Sequence, residues 1–242
     1  MTGVWQWLMT PLSGAPTHLV EPLVYWHARL MVLGWGILLP AGALVARYFK
    51  VLPTQNWPKN LDNKWWWHAH RLLQWSGIGL ATVGLYALWH QEPGRTDLAR
   101  WHGWAGWALL SLGWMQILSG WLRGSKGGPT SEQLRGDHYD MTTRRVWFER
   151  LHKGLGWLCV LSAILVITTG MQLVDVPRWM PVVLAIWWLG LAALAWRWQT
   201  KGRCVDTYQA IWGPAPDLPG NRRPPIGWGI RRPLDTHHHG KS

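Results

Sequence analysis

The sequence predicts an all-α membrane protein with five transmembrane helices, and its composition carries two signs of this. Apolar residues make up 48% of the 242-residue chain, yet the mean hydropathy is only −0.06, so apolar blocks must alternate with polar, charged blocks. Tryptophan occurs 24 times and phenylalanine twice, a bias typical of side chains at bilayer interfaces. A tryptophan-rich soluble core is the weaker alternative, because the apolar blocks are too long for it.

Five apolar segments approach the roughly 20 residues that a helix needs to cross about 30 Å of hydrocarbon. Their charged residues cluster at the ends, and Pro40 is expected to kink the first segment. The segments are 24–47, 65–89, 101–122, 151–174 and 178–198.

The distribution of Lys and Arg between these segments predicts an orientation. We call the face that holds the N-terminus side A and the opposite face side B. The side-A connections carry only Arg95, Arg100 and Arg178, whereas side B carries eighteen basic residues. Such an excess marks the cytoplasmic face, so segment 1–23 and the N-terminus are expected outside and the C-terminus inside. The net charge of +12 is then a basic surface facing anionic lipid rather than a nucleic-acid site.

The C-terminal tail, residues 199–242, is polar and rich in Pro and Arg. This composition argues against a packed domain, and we expect a peripheral segment that lies on lipid or on a partner. The tail and the loop 123–150 also mix acidic and aromatic residues with the basic ones, which suits a protein contact. We therefore expect the fifth helix, within 175–198, and the tail to dock a partner subunit.

Four of the five segments carry at least one histidine near their start, and the fifth carries none. Three of these histidines open the shared pattern H-x3-[G/Q]-W, in HRLLQW, HGWAGW and HKGLGW. An imidazole inside a membrane span costs free energy unless something satisfies it, so four at the same relative place indicate a common ligand. These residues are His27, His70, His102 and His152.

Helix direction pairs these histidines by depth. The first and third segments start on side A, so His27 and His102 share one depth, and His70 and His152 share the other near side B. Two histidines at one depth on different helices can supply both axial ligands of a haem iron. The sequence therefore predicts two non-covalent b-type haems, one near each membrane face, with irons roughly 20 Å apart across about 30 Å of hydrocarbon.

Small and amide side chains continue the face of each histidine at steps of three and four residues. We expect them to line grooves for a flat macrocycle, although small residues also allow membrane helices to pack closely. Non-haem iron or zinc is a weaker alternative, because neither pair has a nearby carboxylate or thiolate. The predicted lining residues are Gly34, Gln74, Gly77, Gly106, Gly113, Gln116, Gly120, Gly156 and Gly170.

The carboxylates of a haem need positive partners near the membrane surface, because burying them unpaired is costly. Snorkelling of basic side chains to the interface explains the same residues equally well. The candidates on side A are Arg29 and Arg100, and those on side B are Arg71, Lys153, Arg144 and Arg145.

The other histidines and the cysteines have simpler explanations. His68 competes with His70 as a ligand, but only His70 is followed by a stripe of small and amide residues. Cys159 and Cys204 form no CxxC or CxxCH motif, so covalently attached haem and structural zinc are unsupported. Solvated or capping roles are expected for the histidines near interfaces or in loops, which are His18, His90 and His138.

In the segments that carry the four histidines, the chain resembles the cytochrome b561 family, and its bacterial di-haem branch in particular. The resembling region covers about residues 24–174 and includes HRLLQWSGIGL, HGWAGWALLSLGWMQILSGWLR and HKGLGWLCVLSAIL. The resemblance implies a four-helix haem-binding core with the same four histidines as axial ligands, in a bacterial inner membrane with a periplasmic N-terminus. It also implies electron transfer between small reductants, quinones, superoxide or redox proteins. The loop 123–150, the fifth helix and the tail are additions, so donor and acceptor are not carried over.

The sequence leaves three functions open. The first is a carrier or oxidoreductase that moves electrons across the membrane through two haems and exchanges them with a quinone, superoxide or a partner protein. The second is the haem-bearing or anchoring subunit of a larger membrane redox complex. The third and weakest is a non-redox protein whose histidines serve a proton or ion pathway. We expect membrane lipid to surround the protein, and we expect no nucleic-acid partner.

Overall fold

The computed structural model describes residues 2–16, 19–89 and 96–233. Within these residues the regular structure is helical, with no β-strand, so the all-α prediction is confirmed. His18, His90, Arg95, His237 to His239 and Lys241 lie outside the described residues. The seven helices found there are α1 Thr2–Met9, α2 Pro22–Tyr48, α3 Trp65–Tyr86, α4 Asp97–Trp121, α5 Thr143–Leu173, α6 Trp179–Thr200 and α7 Thr207–Trp212.

The five long helices, α2 to α6, correspond to the five predicted segments. Helix α5 differs most, since it begins at Thr143 rather than at 151. Two ion pairs at a spacing of four residues, Arg145 with Glu149 and Glu149 with Lys153, stabilise these additional turns. The sequence pattern missed them because they carry charges rather than an apolar stripe.

Three of the described helices, α2, α5 and α6, are long and apolar enough to cross a membrane by length and composition. Helices α3 and α4 have sufficient length, at 22 and 25 residues. Their many Trp, Gly, His and Gln residues lower the mean hydropathy below that of the other three. The composition of the described helices thus identifies three of the five predicted spans.

Helix α2 contains a π-helical segment, Val32–Leu38, just before Pro40. Pro40 has no amide hydrogen to donate to the carbonyl of Gly36, four residues earlier. Two indoles of α6 donate to that carbonyl instead, at 3.0 Å from Trp187 Nε1 and 3.2 Å from Trp188 Nε1. The predicted kink is therefore a widened turn, and α6 supplies the donors that it lacks.

The chain divides into two compact units. Unit 1 comprises Met1–Ala41, Leu73–Met115 and Trp157–Leu194. Unit 2 comprises Gly42–Leu72, Gln116–Gly156 and Ala195–Ser242.

The tail is packed, so the prediction of a loose peripheral segment is wrong for its described part. Residues 204–213 are buried, and α7 forms a small apolar core with the loop 123–150. Tyr208 Oη donates to Tyr139 O at 2.8 Å, and Arg232 forms a buried ion pair with Asp206 at 2.7 Å. The tail folds because its few aromatic residues find partners far away in sequence. The buried core residues are Met141, Tyr208, Ile211 and Trp212.

A buried charge cluster lies beside this core in unit 2. Glu149, 5% exposed, accepts from Arg145 Nη2 at 2.9 Å and from Lys153 Nζ at 2.6 Å, and its carboxylate lies 3.3 Å from His138 Nε2. Lys153 also donates to Ile226 O at 2.9 Å. One carboxylate thus pairs with two cations, and one of these, Lys153, connects α5 to the tail.

Candidate functional site

The four predicted histidines form two pairs. In unit 1 the rings of His27 and His102 face each other with centroids 6.3 Å apart and planes at 77°. In unit 2 the rings of His70 and His152 have centroids 6.4 Å apart and planes at 76°. The pairing therefore follows the helix directions read from the sequence.

Each of the four rings is held through its Nδ1 atom. His27 Nδ1 lies 2.9 Å from Gly84 O, and His70 Nδ1 lies 3.0 Å from Gly42 O. A carbonyl oxygen only accepts, so Nδ1 carries the proton in both rings. The other nitrogen, Nε2, is then the unprotonated one, which is the form that binds a metal.

The two remaining rings are held by hydroxyl groups with the same result. His102 Nδ1 lies 3.2 Å from Thr169 Oγ1, and His152 Nδ1 lies 3.0 Å from Ser119 Oγ. The Thr169 hydroxyl already donates to Val166 O at 2.9 Å and the Ser119 hydroxyl to the main-chain carbonyl of Gln116 at 2.8 Å. Both hydroxyls therefore accept from the imidazole, and all four rings keep Nε2 free as a metal ligand.

The spacing within each pair fits a haem iron. With metal–nitrogen bonds of about 2 Å, two imidazoles on opposite sides of one iron place their ring centroids about 6 Å apart. Among the described residues no group of three or more His, Cys, Asp or Glu side chains could hold a metal ion. A planar cofactor that supplies four ligands itself and needs two from the protein matches these pairs.

The predicted lining glycines fall into two groups. A Cβ atom on Gly106, Gly120 or Gly156 would meet nothing within 4 Å, so these positions face open space, as a groove for a macrocycle requires. A Cβ on Gly170 would lie 2.9 Å from His102 Cε1, so Gly170 makes room for that ring.

Gly34, Gly77 and Gly113 lie instead at helix contacts in unit 1. A Cβ on Gly34 would meet Gly77 O at 2.6 Å, and one on Gly77 would meet Leu39 at 2.8 Å. Gly113 packs in the same way against Ile78 and Trp35. These three glycines follow the close-packing alternative that the sequence left open.

The two predicted glutamines differ in their contacts. Gln74 Nε2 donates to Leu39 O at 3.1 Å, so it links α3 to α2. The Oε1 atom of Gln116 is buried and has no hydrogen-bond partner among the described residues. Such an atom can still accept a hydrogen bond from a water molecule or another donor.

On side A, the two arginines that were predicted to pair with haem carboxylates both interact with other side chains of the protein. Arg29 donates to Tyr25 Oη and lies 3.8 Å from the centre of that ring. Arg100 forms an exposed ion pair with Asp97.

On side B, Arg144 Nη2 donates to Leu122 O at 2.9 Å, and the partners of Arg145 and Lys153 are in the Glu149 cluster. Arg71 is exposed and lies near the ring of Trp67. Only Arg71 of the side-B candidates thus remains without a hydrogen-bonding partner among the described residues.

The competing histidines lie elsewhere. His68 is exposed, whereas His70 is half-buried and faces His152. His138 was expected in a solvated or capping role, but it is buried at 6% exposure against Trp212, with centroids 4.6 Å apart. Burial, and then the Arg145 guanidinium, lower the pKa of His138 to about 4. The ring is therefore neutral at pH 7, which a lone loop histidine in the sequence does not reveal.

Comparison with known proteins places the chain in a family. The family model described as eukaryotic cytochrome b561 matches residues 26–176, more than half of the chain. The chain belongs to the cytochrome b561 family, whose members transfer electrons in membranes through b-type haem. No solved structure matches the chain.

The related proteins include longer ones from Arabidopsis thaliana. A cytochrome b561, DM13 and DOMON domain-containing protein is 28% identical over 166 residues, which are 68% of this chain and 16% of that protein. A cytochrome b561 and DOMON domain-containing protein is 29% identical over 154 residues, 62% of this chain and 28% of that protein. The chain thus spans less than a third of the length of these relatives.

These relatives correct the predicted location. The expectation of a bacterial inner membrane with a periplasmic N-terminus is wrong, because the matching relatives are plant proteins and point to a eukaryotic membrane. Haem-ligand patterns and positive-inside loops arise from physical constraints that bacterial and eukaryotic membranes share. The sequence pattern therefore carried no information on the kind of cell.

Proposed function

We propose that the protein carries two b-type haems, one on His27 and His102 and one on His70 and His152, and passes electrons across the membrane through them. The observation that carries the proposal is the matched geometry of the two pairs. Both have ring centroids 6.3–6.4 Å apart, and in each ring Nδ1 is held by a hydrogen bond, which leaves Nε2 as the available metal ligand. Haem supplies an iron that gains and loses one electron, and the chain supplies the ligands and the insulation.

The residues of the chain act chiefly by holding the histidine ligands in position. The carbonyls of Gly84 and Gly42 and the hydroxyls of Thr169 and Ser119 fix each ring plane and its tautomer. Ligands fixed in this way reorganise little when the charge on the metal changes. Such a site suits rapid electron transfer.

We also propose that α3 and α4 cross the membrane, which gives five spans with the first four as a haem-binding bundle. Each of these two helices supplies one member of a pair, so they must reach the same depth as α2 and α5. Their low hydropathy comes partly from tryptophan, which membranes accept at the interface. Trp101 and Trp104 of α4, 48% and 79% exposed, can serve as such anchors.

The test is haem content and ligation in the purified protein. We expect two extractable haems per chain and low-spin signals typical of two axial histidines. The variant His102→Ala should lose the haem of unit 1 and keep that of unit 2, and His152→Ala should do the reverse. His68→Ala is the matched control and should keep both. A wild-type protein with one haem, or variants that keep both low-spin signals, would contradict the proposal.

A second candidate function is that of an electron-transfer module within a larger assembly. It is favoured by the relatives, whose names include DOMON domains beside the cytochrome b561 part. It is also favoured by α6, which has no buried residue and exposes large apolar side chains such as Ile186 and Leu189. Purification in mild detergent distinguishes the candidates, because a module should retain a redox partner and a self-sufficient carrier should not.

A proton or ion pathway without redox chemistry is the third function. A reduced-minus-oxidised absorbance spectrum separates it from the other two at once, because only a haem protein gives a sharp band on reduction. Reduction by quinols, small reductants and superoxide in turn would then identify the donor class.

A further inference from the structure

Arg71 and Arg123 of unit 2 have neither an anionic partner nor a hydrogen-bond acceptor among the described residues. Arg144, Arg145 and Lys153 all donate to oxygen atoms of the chain. Within the described part of the chain, no carboxylate lies within ion-pair distance of Arg71 or Arg123, and neither donates a hydrogen bond. Both therefore carry a positive charge that nothing in these residues balances.

The two guanidinium groups lie against the same aromatic ring. The Cζ atom of Arg123 is 4.1 Å from the centre of the Trp67 ring, and that of Arg71 is 5.8 Å from it. The Trp67 ring is itself 6.5 Å from that of His70, centroid to centroid. Two unbalanced cations thus lie close to the pair formed by His70 and His152.

This arrangement is costly without an anion. Arg123 is only half-exposed, and burial, followed by the like charges of Arg145 and Arg71, lowers its pKa. A partly desolvated cation beside other cations is stabilised by a negative group that compensates its charge. A planar guanidinium binds a carboxylate through two parallel hydrogen bonds, and stacking on an indole pre-orients it.

We propose that Arg71 and Arg123 form a carboxylate-binding site, supported by Trp67, that holds a propionate of the haem on His70 and His152. Arg71 was among the sequence candidates, whereas Arg123 was not. The inference rests on the proposed function, since it requires a haem on this pair. The same chemistry would bind a small carboxylate from solution, and the experiment separates the two sources.

The experiment measures haem loss to apomyoglobin from full-length protein in detergent. It compares wild type with Arg123→Gln, Arg71→Gln and Arg123→Lys. Arg150→Gln is the matched control, since Arg150 is another guanidinium of unit 2, 6.0 Å from the Trp147 ring. Each protein is loaded either with iron protoporphyrin IX or with its dimethyl ester, in which the propionates carry no charge.

With iron protoporphyrin IX, Arg123→Gln should speed the loss of the unit 2 haem about tenfold or more, the usual effect of a lost hydrogen bond to a charged group. Arg71→Gln should have a smaller effect, Arg123→Lys an intermediate one and Arg150→Gln none. With the dimethyl ester, wild type should already lose haem quickly, and Arg123→Gln should add nothing.

Equal haem loss from wild type and Arg123→Gln overturns the propionate assignment. In that case, sodium acetate should be added and the midpoint potential of the unit 2 haem measured. A shift in wild type but not in Arg123→Gln supports a site that binds a small carboxylate from solution. No such shift overturns the site altogether. Equal acceleration with both porphyrins also overturns it, because the variant then acts through the fold. One haem per wild-type chain would instead count against the proposed function.

Discussion

Replacing Glu149 with glutamine should loosen the tail of unit 2. The carboxylate of Glu149 is 6% exposed and lies within 3.3 Å of nitrogen atoms of Arg145, Lys153 and His138. Glutamine keeps the shape but leaves the buried Arg145 without a counter-charge, and breaking a buried pair in this way costs about 3–5 kcal/mol. Lys153 is 32% exposed and can turn to water, so we expect the lower end of that range.

About 3 kcal/mol corresponds to a change of about a hundredfold in the opening equilibrium. Because Lys153 also donates to Ile226 O, opening should expose the tail to trypsin, whose cleavage rate follows the population of the open form. We therefore expect Glu149→Gln to be cleaved in the tail far faster than wild type. Asp97→Asn, which removes an exposed ion pair, is the control and should leave the rate unchanged. A rate for Glu149→Gln within twofold of wild type would refute the reasoning.

Two further predictions concern acid and haem binding. The pKa of His138 is about 4 in the fold and 6.5 ordinarily, so between these values the unfolded chain binds a proton that the folded chain does not. The contribution of His138 to stability should therefore fall by about 2 kcal/mol between pH 7 and pH 5, as measured by thermal unfolding, and His138→Gln should remove that contribution. An unchanged pH profile in the variant would exclude His138 as a source of it. Gly170→Ala should displace the His102 ring and lower the haem content of unit 1 towards zero. Gly154→Ala is the control and should not, because its Cβ would face open space. Two haems in both variants would show that the ring tolerates the shift.

The histidine pairs could be predicted from the sequence because two simple regularities determine them. Helices alternate in direction, so histidines near the starts of the first and third helices must share a depth, as His27 and His102 do. The helical period then places small residues on the same face. No long-range contact needs to be known for this step.

The roles of the individual glycines could not be predicted, because lining a groove and packing a helix demand the same small residue. Gly106 and Gly113 are both small residues on the face of α4 that carries His102, yet one faces open space and the other packs against Ile78 and Trp35. The partners that decide between these roles come from other helices. A sequence pattern within one helix contains no information about them.

The folded tail was missed for a related reason. Its Pro and Arg content resembles that of disordered segments, but Tyr208 and Asp206 find partners at Tyr139 and Arg232. Composition averages over the segment, whereas the fold depends on a few aromatic and charged residues. Arg123 escaped notice similarly, since only the contact with Trp67 distinguishes it from the other basic residues of side B.

The hydrogen bonds behind the four histidines are the same in both units, with one carbonyl and one hydroxyl acceptor in each pair. The two irons would therefore experience nearly identical electron donation from their axial ligands, and a difference in midpoint potential must come from the surrounding charges. Close to the histidine pair of unit 2, the cations Arg71, Arg123, Arg145 and Lys153 outnumber the carboxylate of Glu149. Positive charge favours the reduced iron, so the haem of unit 2 should be the more easily reduced one. Identical axial ligands and different surrounding charges would then give the two haems different midpoint potentials. This difference would set a preferred direction of electron transfer within one chain.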